Sequence, residues 1–112
     1  MGTGKATDHL LGSLDLLVLR CLATGESLHG YAITERIQKL SVDVLRVEEG
    51  SLYPALHRMN EAGLLVSEWG NSENNRRARF YRITKLGRRH VAELETQWGL
   101  HVEAVKRVLK HA

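Results

Sequence analysis

The sequence predicts an α+β, mainly α domain in which three short helices precede a β-hairpin and one long helix closes the chain. Three observations carry this reading. Apolar residues recur at helical spacing in four separate stretches. Two β-rich runs, 64–69 and 78–83, flank a single polar turn. The last quarter of the chain carries an apolar stripe about four heptads long. At 112 residues, 43% of them hydrophobic and 26% charged, the chain suffices for one domain and is too short for most two-domain enzymes.

Residues 1–9, MGTGKATDH, are polar and aperiodic and read as a flexible N-terminal tail. The first helix is expected from Ser13, a good N-cap, to about Ala23. Leu14, Leu17, Val18, Cys21 and Leu22 form its apolar face, with Leu16 and Leu19 off that stripe. Such a helix is apolar on more than one side and is expected to be covered twice. Thr24-Gly25 ends it. The second helix spans about 29–40, with Ile33, Ile37 and Leu40 facing inward and Glu35, Arg36 and Lys39 outward. A short strand is expected within 44–47, on β-branched content. The third helix runs from Ser51 to about Ala62, with Pro54 in its first turn and Gly63 closing it. After the hairpin, whose polar tip is 70–75, Thr84 caps a helix from 85 to about 110.

That last helix presents Val91, Leu94, Trp98, Val102, Val105 and Leu109 on one stripe. A helix of about 25 residues is about 38 Å long, more than this domain covers by itself. Much of the stripe is therefore expected to pair with another chain. The division that follows is a tail, 1–9, a compact domain, 10–84, and a dimerisation helix, 85–112.

Charge is modest overall, with 16 Lys and Arg against 13 Asp and Glu, but it is unevenly placed. Residues 76–89 hold Arg76, Arg77, Arg79, Arg82, Lys85, Arg88 and Arg89 and no acid. Charged strands also guard sheet edges against aggregation, though mixed signs usually serve that purpose. A run of one sign points instead to phosphate binding. On the third helix Leu52, Ala55, Leu56 and Met59 make the buried stripe. That leaves Ser51, Tyr53, Pro54, His57 and Arg58 on the opposite face, near the end with which recognition helices address a major groove. Tyr53 and His57 would equally serve as flanks of the core. The order helix, helix, strand, helix, basic hairpin is that of a winged helix-turn-helix.

Other chemistries find little support. The single cysteine, Cys21, excludes an intramolecular disulfide and a cysteine-based metal site, and its place on the first helix reads as packing. The histidines His9, His29, His57, His90, His101 and His111 form no i, i+4 pair and meet no acid cluster, so no metal and no cofactor is expected. There is no Gly-rich phosphate loop and no nucleophile motif, so no enzyme is expected. Glu48-Glu49 precede a helix N-terminus, where acids are favoured. The most apolar stretch, 10–23, is interrupted by Asp15 and Arg20 and falls short of a membrane span. Without a signal peptide, a cytoplasmic protein with no membrane partner is expected.

The runs Leu28-His29-Gly30-Tyr31, Gly50-Ser51-Leu52-Tyr53-Pro54-Ala55-Leu56-His57-Arg58-Met59 and Gly63-Leu64-Leu65 closely resemble the PadR family of bacterial transcriptional regulators. So does the segment from Arg79 through Phe80, Tyr81, Arg82, Ile83, Thr84, Lys85, Leu86 and Gly87 to Arg88. The resemblance covers about residues 10–110 and implies a dimeric, ligand-responsive repressor on a palindromic double-stranded DNA operator. Carried over by position, Ser51, Tyr53, Pro54, His57 and Arg58 would lie in or beside the recognition surface. Tyr31 would approach the phosphate backbone, and Arg76, Arg77 and Arg79 would be the wing contacts. The wing departs from the mixture of Gly, Pro and Lys seen in many members by being rich in Asn and Arg. The single long C-terminal helix matches the short type, where it dimerises. Two recognition helices would then sit about 34 Å apart, one turn of DNA. The resemblance also makes Trp98 the candidate contact for a small aromatic or hydrophobic effector, with Leu16 and Leu19 completing a pocket or an interface. Plain dimer core is the competing role for Trp98. The rival function is a winged-helix protein-interaction or dimerisation module without specific DNA binding. Such modules usually lack a basic wing.

Overall fold

The computed structural model describes residues 13–112, so the tail expected over 1–9 lies outside the described residues. In chain order the elements are α1 (Leu14–Leu22), β1 (Leu28–His29), α2 (Gly30–Leu40), α3 (Glu49–Glu61), β2 (Leu65–Asn71), β3 (Arg77–Ile83) and α4 (Lys85–His111). The mainly helical α+β architecture and the long closing helix are as expected.

Helix α1 carries Asp15 in its first turn and Arg20 in its last, both favourable to the helix dipole. Its buried residues are Leu16, Val18, Leu19, Cys21 and Leu22, while Leu14 and Leu17 are only half-buried. Leu16 and Leu19 thus sit on the core face, not off it. In a run as apolar as LDLLVLRCL two helical phases satisfy the spacing, and packing against α2, α3, α4 and β3 selects one. Burial pushes the Cys21 thiol up from its ordinary value, so at neutral pH it stays protonated and serves as packing.

Helix α2 is started by His29, whose Nδ1 accepts from the Ala32 N–H at 3.3 Å. Ile33 and Ile37 enter the core, but Leu40 is 74% exposed and does not. The strand expected within 44–47 does not form. Val42 and Asp43 adopt left-handed backbone, with φ of 52° and 66°. Gln38 Nε2 donates to Asp43 Oδ1 at 3.0 Å, and the Leu45 N–H donates to Ser41 Oγ at 2.9 Å. These bonds fold the valine-rich stretch into a turn before it can find a partner strand. The third strand comes instead from β1, which pairs antiparallel to β3 through Leu28↔Tyr81 and His29↔Phe80. The sheet order is β1-β3-β2.

Helix α3 begins at Glu49, two residues before the expected start at Ser51, so Pro54 falls in its second turn. There Pro54 removes the i+4 donor from the Gly50 carbonyl, which a helix tolerates near its start better than in its middle. Gly63, at φ 81°, ends α3 as expected, and the Leu64 N–H donates back to the Met59 carbonyl at 2.9 Å. The β2–β3 hairpin extends beyond its predicted ends and narrows the polar tip. The Ser72 N–H donates to the Arg76 carbonyl at 2.8 Å, around Asn75 at φ 59°.

Helix α4 is capped by Thr84, whose Oγ1 accepts from the Gly87 N–H at 3.0 Å and donates to the Gly63 carbonyl at 2.7 Å. The helix is fastened to α1 by Arg88 Nη1 donating to the Ala23 carbonyl at 2.8 Å and by Arg20 against Glu95 at 3.3 Å. Val91, placed by its spacing on the dimerisation stripe, is 5% exposed within the protomer and belongs to the core. Leu94 packs partly against the same core. The part of the stripe left outside the protomer core therefore starts at Trp98.

Candidate nucleic-acid interface

Helix α3 buries Leu52, Ala55, Leu56 and Met59, as its spacing predicts, and turns Tyr53, Pro54, His57 and Arg58 outward. Ser51 is half-buried beside them. Tyr53 is held by a close approach of backbone. A Cβ on Gly30 would lie 2.7 Å from the Tyr53 hydroxyl and 2.8 Å from its ring, so only glycine lets the ring lie on the start of α2. Burial, then the carboxylate of Glu49, then Tyr81, push the Tyr53 hydroxyl above its usual range. It remains a neutral group able both to donate and to accept. Gly30→Ala is accordingly expected to dislodge Tyr53 and, if this face binds duplex DNA, to lower that affinity about tenfold while the melting midpoint moves little. Anisotropy and a thermal melt check this.

Tyr31, next to Gly30, is exposed and stacks on His29 with ring centroids 6.5 Å apart, and His29 meets Phe80 edge-on at 5.2 Å. Tyr31 and Tyr53 are therefore brought together at the start of α2. His57 lies 3.7 Å from Glu61 on the exposed face.

Arg58, on the outward face as expected, also has a partner the sequence does not show. Its guanidinium makes a two-point bridge to Asp15 of α1, Nη1 to Oδ2 and Nη2 to Oδ1, both at 2.8 Å. Its charge is neutralised within the chain, and it ties α3 to α1. Arg88 is likewise engaged by α1, so the basic run 76–89 does not act as one cluster.

The wing arginines form the clearest electrostatic feature. Register pairs Leu65↔Ile83, Ser67↔Tyr81, Trp69↔Arg79 and Asn71↔Arg77 on one face of the hairpin. That face begins in the core, at Leu65, Tyr81 and Ile83, and emerges as Trp69, Arg79 and Arg77. The hairpin adjoins the α3 surface through β2, which packs against α3. Arg79 Nε donates to Ser67 Oγ at 3.0 Å. Among the described residues neither Arg77 nor Arg79 pairs with a carboxylate. Arg76 lies at the turn, its N–H donating to Ser72 Oγ at 3.3 Å, and Arg82 points to the opposite face.

Trp98 lies on the outer part of α4 with its ring 5.5 Å from that of His101, while Leu16 is buried in the core. A separate cavity of about 780 Å³ opens between α1, α2 and the turn after α2, lined by Leu17, Cys21, Ile37, Leu40 and Leu45. Among the described residues no group of three metal-ligating side chains occurs, and no helix is long and apolar enough to cross a membrane.

Sequence reasoning missed Trp69, Gly30 and Asp15. Alternation opposite the Arg77-x-Arg79 run marks Trp69 once the hairpin register is known. Gly30 shows only as a glycine inside a helix start, and nothing in the sequence joins Asp15 to a residue 43 positions away.

The family model described as "Transcriptional regulator PadR-like family" matches residues 18–93. The chain is 42% identical over 71 residues to the transcriptional regulator Rv3488 of Mycobacterium tuberculosis (strain ATCC 25618 / H37Rv), covering 63% of this chain and 63% of that protein. Among solved structures it resembles a transcriptional regulator from Clostridium thermocellum at TM-score 0.80 and 27% identity, covering 89% of this chain and 96% of that one. It also resembles a PadR family transcriptional regulator from Eggerthella lenta DSM 2243 at TM-score 0.77 and 31% identity, covering 94% and 88%.

Proposed function

Because this chain belongs to the PadR-like family of transcriptional regulators, and so to proteins that regulate transcription by binding DNA, we propose that it is a repressor that binds a palindromic operator as a homodimer and responds to a small ligand. The observation that carries this reading is the unneutralised pair Arg77 and Arg79 on the hairpin whose strand β2 packs against α3.

In this reading Tyr53, Pro54 and His57 face base edges in the major groove, with Ser51 beside them. Tyr31 and the wing residues Arg76, Arg77 and Arg79 hold the flanking phosphates. Contacts of the second kind set affinity and register, and contacts of the first kind set sequence preference. Trp98, Val102, Val105 and Leu109 recur at heptad-like spacing on the outer part of α4 and pair with the same face of a second copy. An aromatic or hydrophobic effector would meet Trp98 at that seam. Helix α1 offers a mechanical link, since it grips α4 through Arg20–Glu95 and Arg88, and grips α3 through Asp15–Arg58. An effector that shifts α4 would thus pull on the recognition helix.

Anisotropy of a labelled duplex carrying the DNA upstream of the protein's own gene tests the reading. Binding should weaken steeply between 50 and 200 mM salt, whereas a protein-interaction module would show no such binding. The cations then sort by environment. Arg77→Ala should lower the slope of log K against log salt by about 1 for each phosphate it no longer neutralises, hence about 2 for a dimer. Arg58→Ala should leave that slope unchanged, because Asp15 already neutralises this guanidinium. An equal fall in both would show that Arg58 neutralises a phosphate despite Asp15.

A further inference from the structure

Trp69 is an exposed aromatic on the wing that the DNA contacts proposed above leave unused. It stands on β2 directly opposite Arg79 and is 54% exposed, so it contributes little to the core. A large aromatic left in water at the far end of a two-stranded arm is disfavoured unless something uses its face. Here two cations do. The guanidinium carbon of Arg77 lies 5.0 Å from the ring centroid and that of Arg79 lies 5.4 Å away, both within the reach of a cation–π contact.

The register explains how one ring serves both. Arg79 is the direct cross-strand neighbour of Trp69, and Arg77, two residues along on the same face, is the diagonal one. Arg79 is fixed at a second point by Ser67 Oγ. Two guanidiniums this close repel each other, and without a carboxylate to hold them they would sample many rotamers in water. Stacked on a common ring, they are presented as a pre-formed pair while their terminal nitrogens stay available to acceptors outside the chain. Guanidinium planes that lie on an aromatic keep their in-plane N–H groups for phosphate oxygens, which lysine in the same place would not do.

We infer that Trp69 is a positioning residue for DNA binding, which holds Arg77 and Arg79 together to meet neighbouring phosphates of one duplex. This rests on the DNA-binding reading above. It differs from a direct contact, in which the indole itself touches DNA, and from plain stiffening of the hairpin.

The test uses the full chain, a generic labelled 25-base-pair duplex and anisotropy over a salt series, with circular dichroism melts as the check on folding. Trp69→Leu keeps apolar bulk and strand preference but removes the π face. It should weaken binding about tenfold and lower the salt slope, and Trp69→Phe should restore most of both. In the Arg77→Ala/Arg79→Ala background, Trp69→Leu should have no further effect, since the groups it positions are gone. The inference is overturned if Trp69→Leu binds like the parent while the arginine variants are weakened, or if Trp69→Phe binds no better than Trp69→Leu. It is equally overturned if the full Trp69→Leu loss persists in the arginine background, which would mean direct contact or stiffening. If the parent shows no salt-dependent binding to any duplex, the DNA-binding reading fails first and this inference falls with it.

Discussion

Val105→Asp is expected to turn a dimer into a monomer and to weaken operator binding about a thousandfold. Helix α4 has 27 residues, about 40 Å of rod, and only its first part rests on its own domain, through Val91 and Leu94. Val105 lies two turns past Trp98 on the same stripe and is 42% exposed in the protomer, so its burial depends on a second copy. In the proposed pairing a carboxylate there has to give up water inside an apolar seam, which is costly. The protomer core holds no part of Val105, so helix content and the core's melting should survive. Binding suffers because the second half-site no longer benefits from tethering, which multiplies affinity by roughly 10² to 10⁴ in linked systems. Light scattering after gel filtration reads the mass, and anisotropy reads the affinity. A Val105→Asp protein of dimer mass with parental affinity would show that the stripe does not pair the copies.

Gly87→Ala is expected to destabilise the fold by about 3 kcal/mol or more, although alanine is the better helix former. A Cβ at this position would lie 2.3 Å from the Leu64 carbonyl oxygen and 2.7 Å from Ile83 Cγ1. The carbonyl has no room to retreat, since it accepts from the Thr84 N–H at 3.1 Å and from Thr84 Oγ1 at 3.0 Å. Helix α4 would have to lift from the start of β2, and that would break the Thr84 cap on the Gly87 N–H. Denaturant unfolding measures the difference. On helix propensity alone the substitution would stabilise by up to about 1 kcal/mol, so the sign of the change decides the matter.

The readable and unreadable parts of this molecule divide by the range of the interactions that fix them. Helix α3 and the hairpin were legible because local signals agree. Leu52, Ala55, Leu56 and Met59 keep one phase, Gly63 stops the helix, and a polar tip separates two β-rich runs. Thr84 as the cap of α4 was legible for the same reason. The phase of α1 was not, because a helix apolar on every side does not say which leucines the rest of the fold will claim. Valine content pointed to a strand at 44–47, yet strand preference expresses packing against paired neighbours, and this segment has no partner strand in the sheet. The true third strand, two residues long, is too short for any alternation to show.

The candidate site divides the same way. The outward face of α3 and the exposed arginines of the wing follow from spacing and charge. What those charges do depends on partners distant in sequence. Arg58 meets Asp15 and is neutralised, Arg88 meets the Ala23 carbonyl and becomes part of the frame, and Arg77 and Arg79 share an aromatic face and keep their charge for outside acceptors. Count alone made these cations equivalent, and three-dimensional placement separates them.

The most direct measurement is a ¹H–¹⁵N correlation titration of the protein with an operator-length duplex at low salt. The amides of residues 51–53 and 55–57, of Tyr31 and of 71–79 should shift together and saturate at one duplex per two chains. Shifts confined to the wing or to α3 alone, or shifts on α2 and α4 that leave both untouched, would contradict a single surface built from the recognition helix and the arginine-bearing arm.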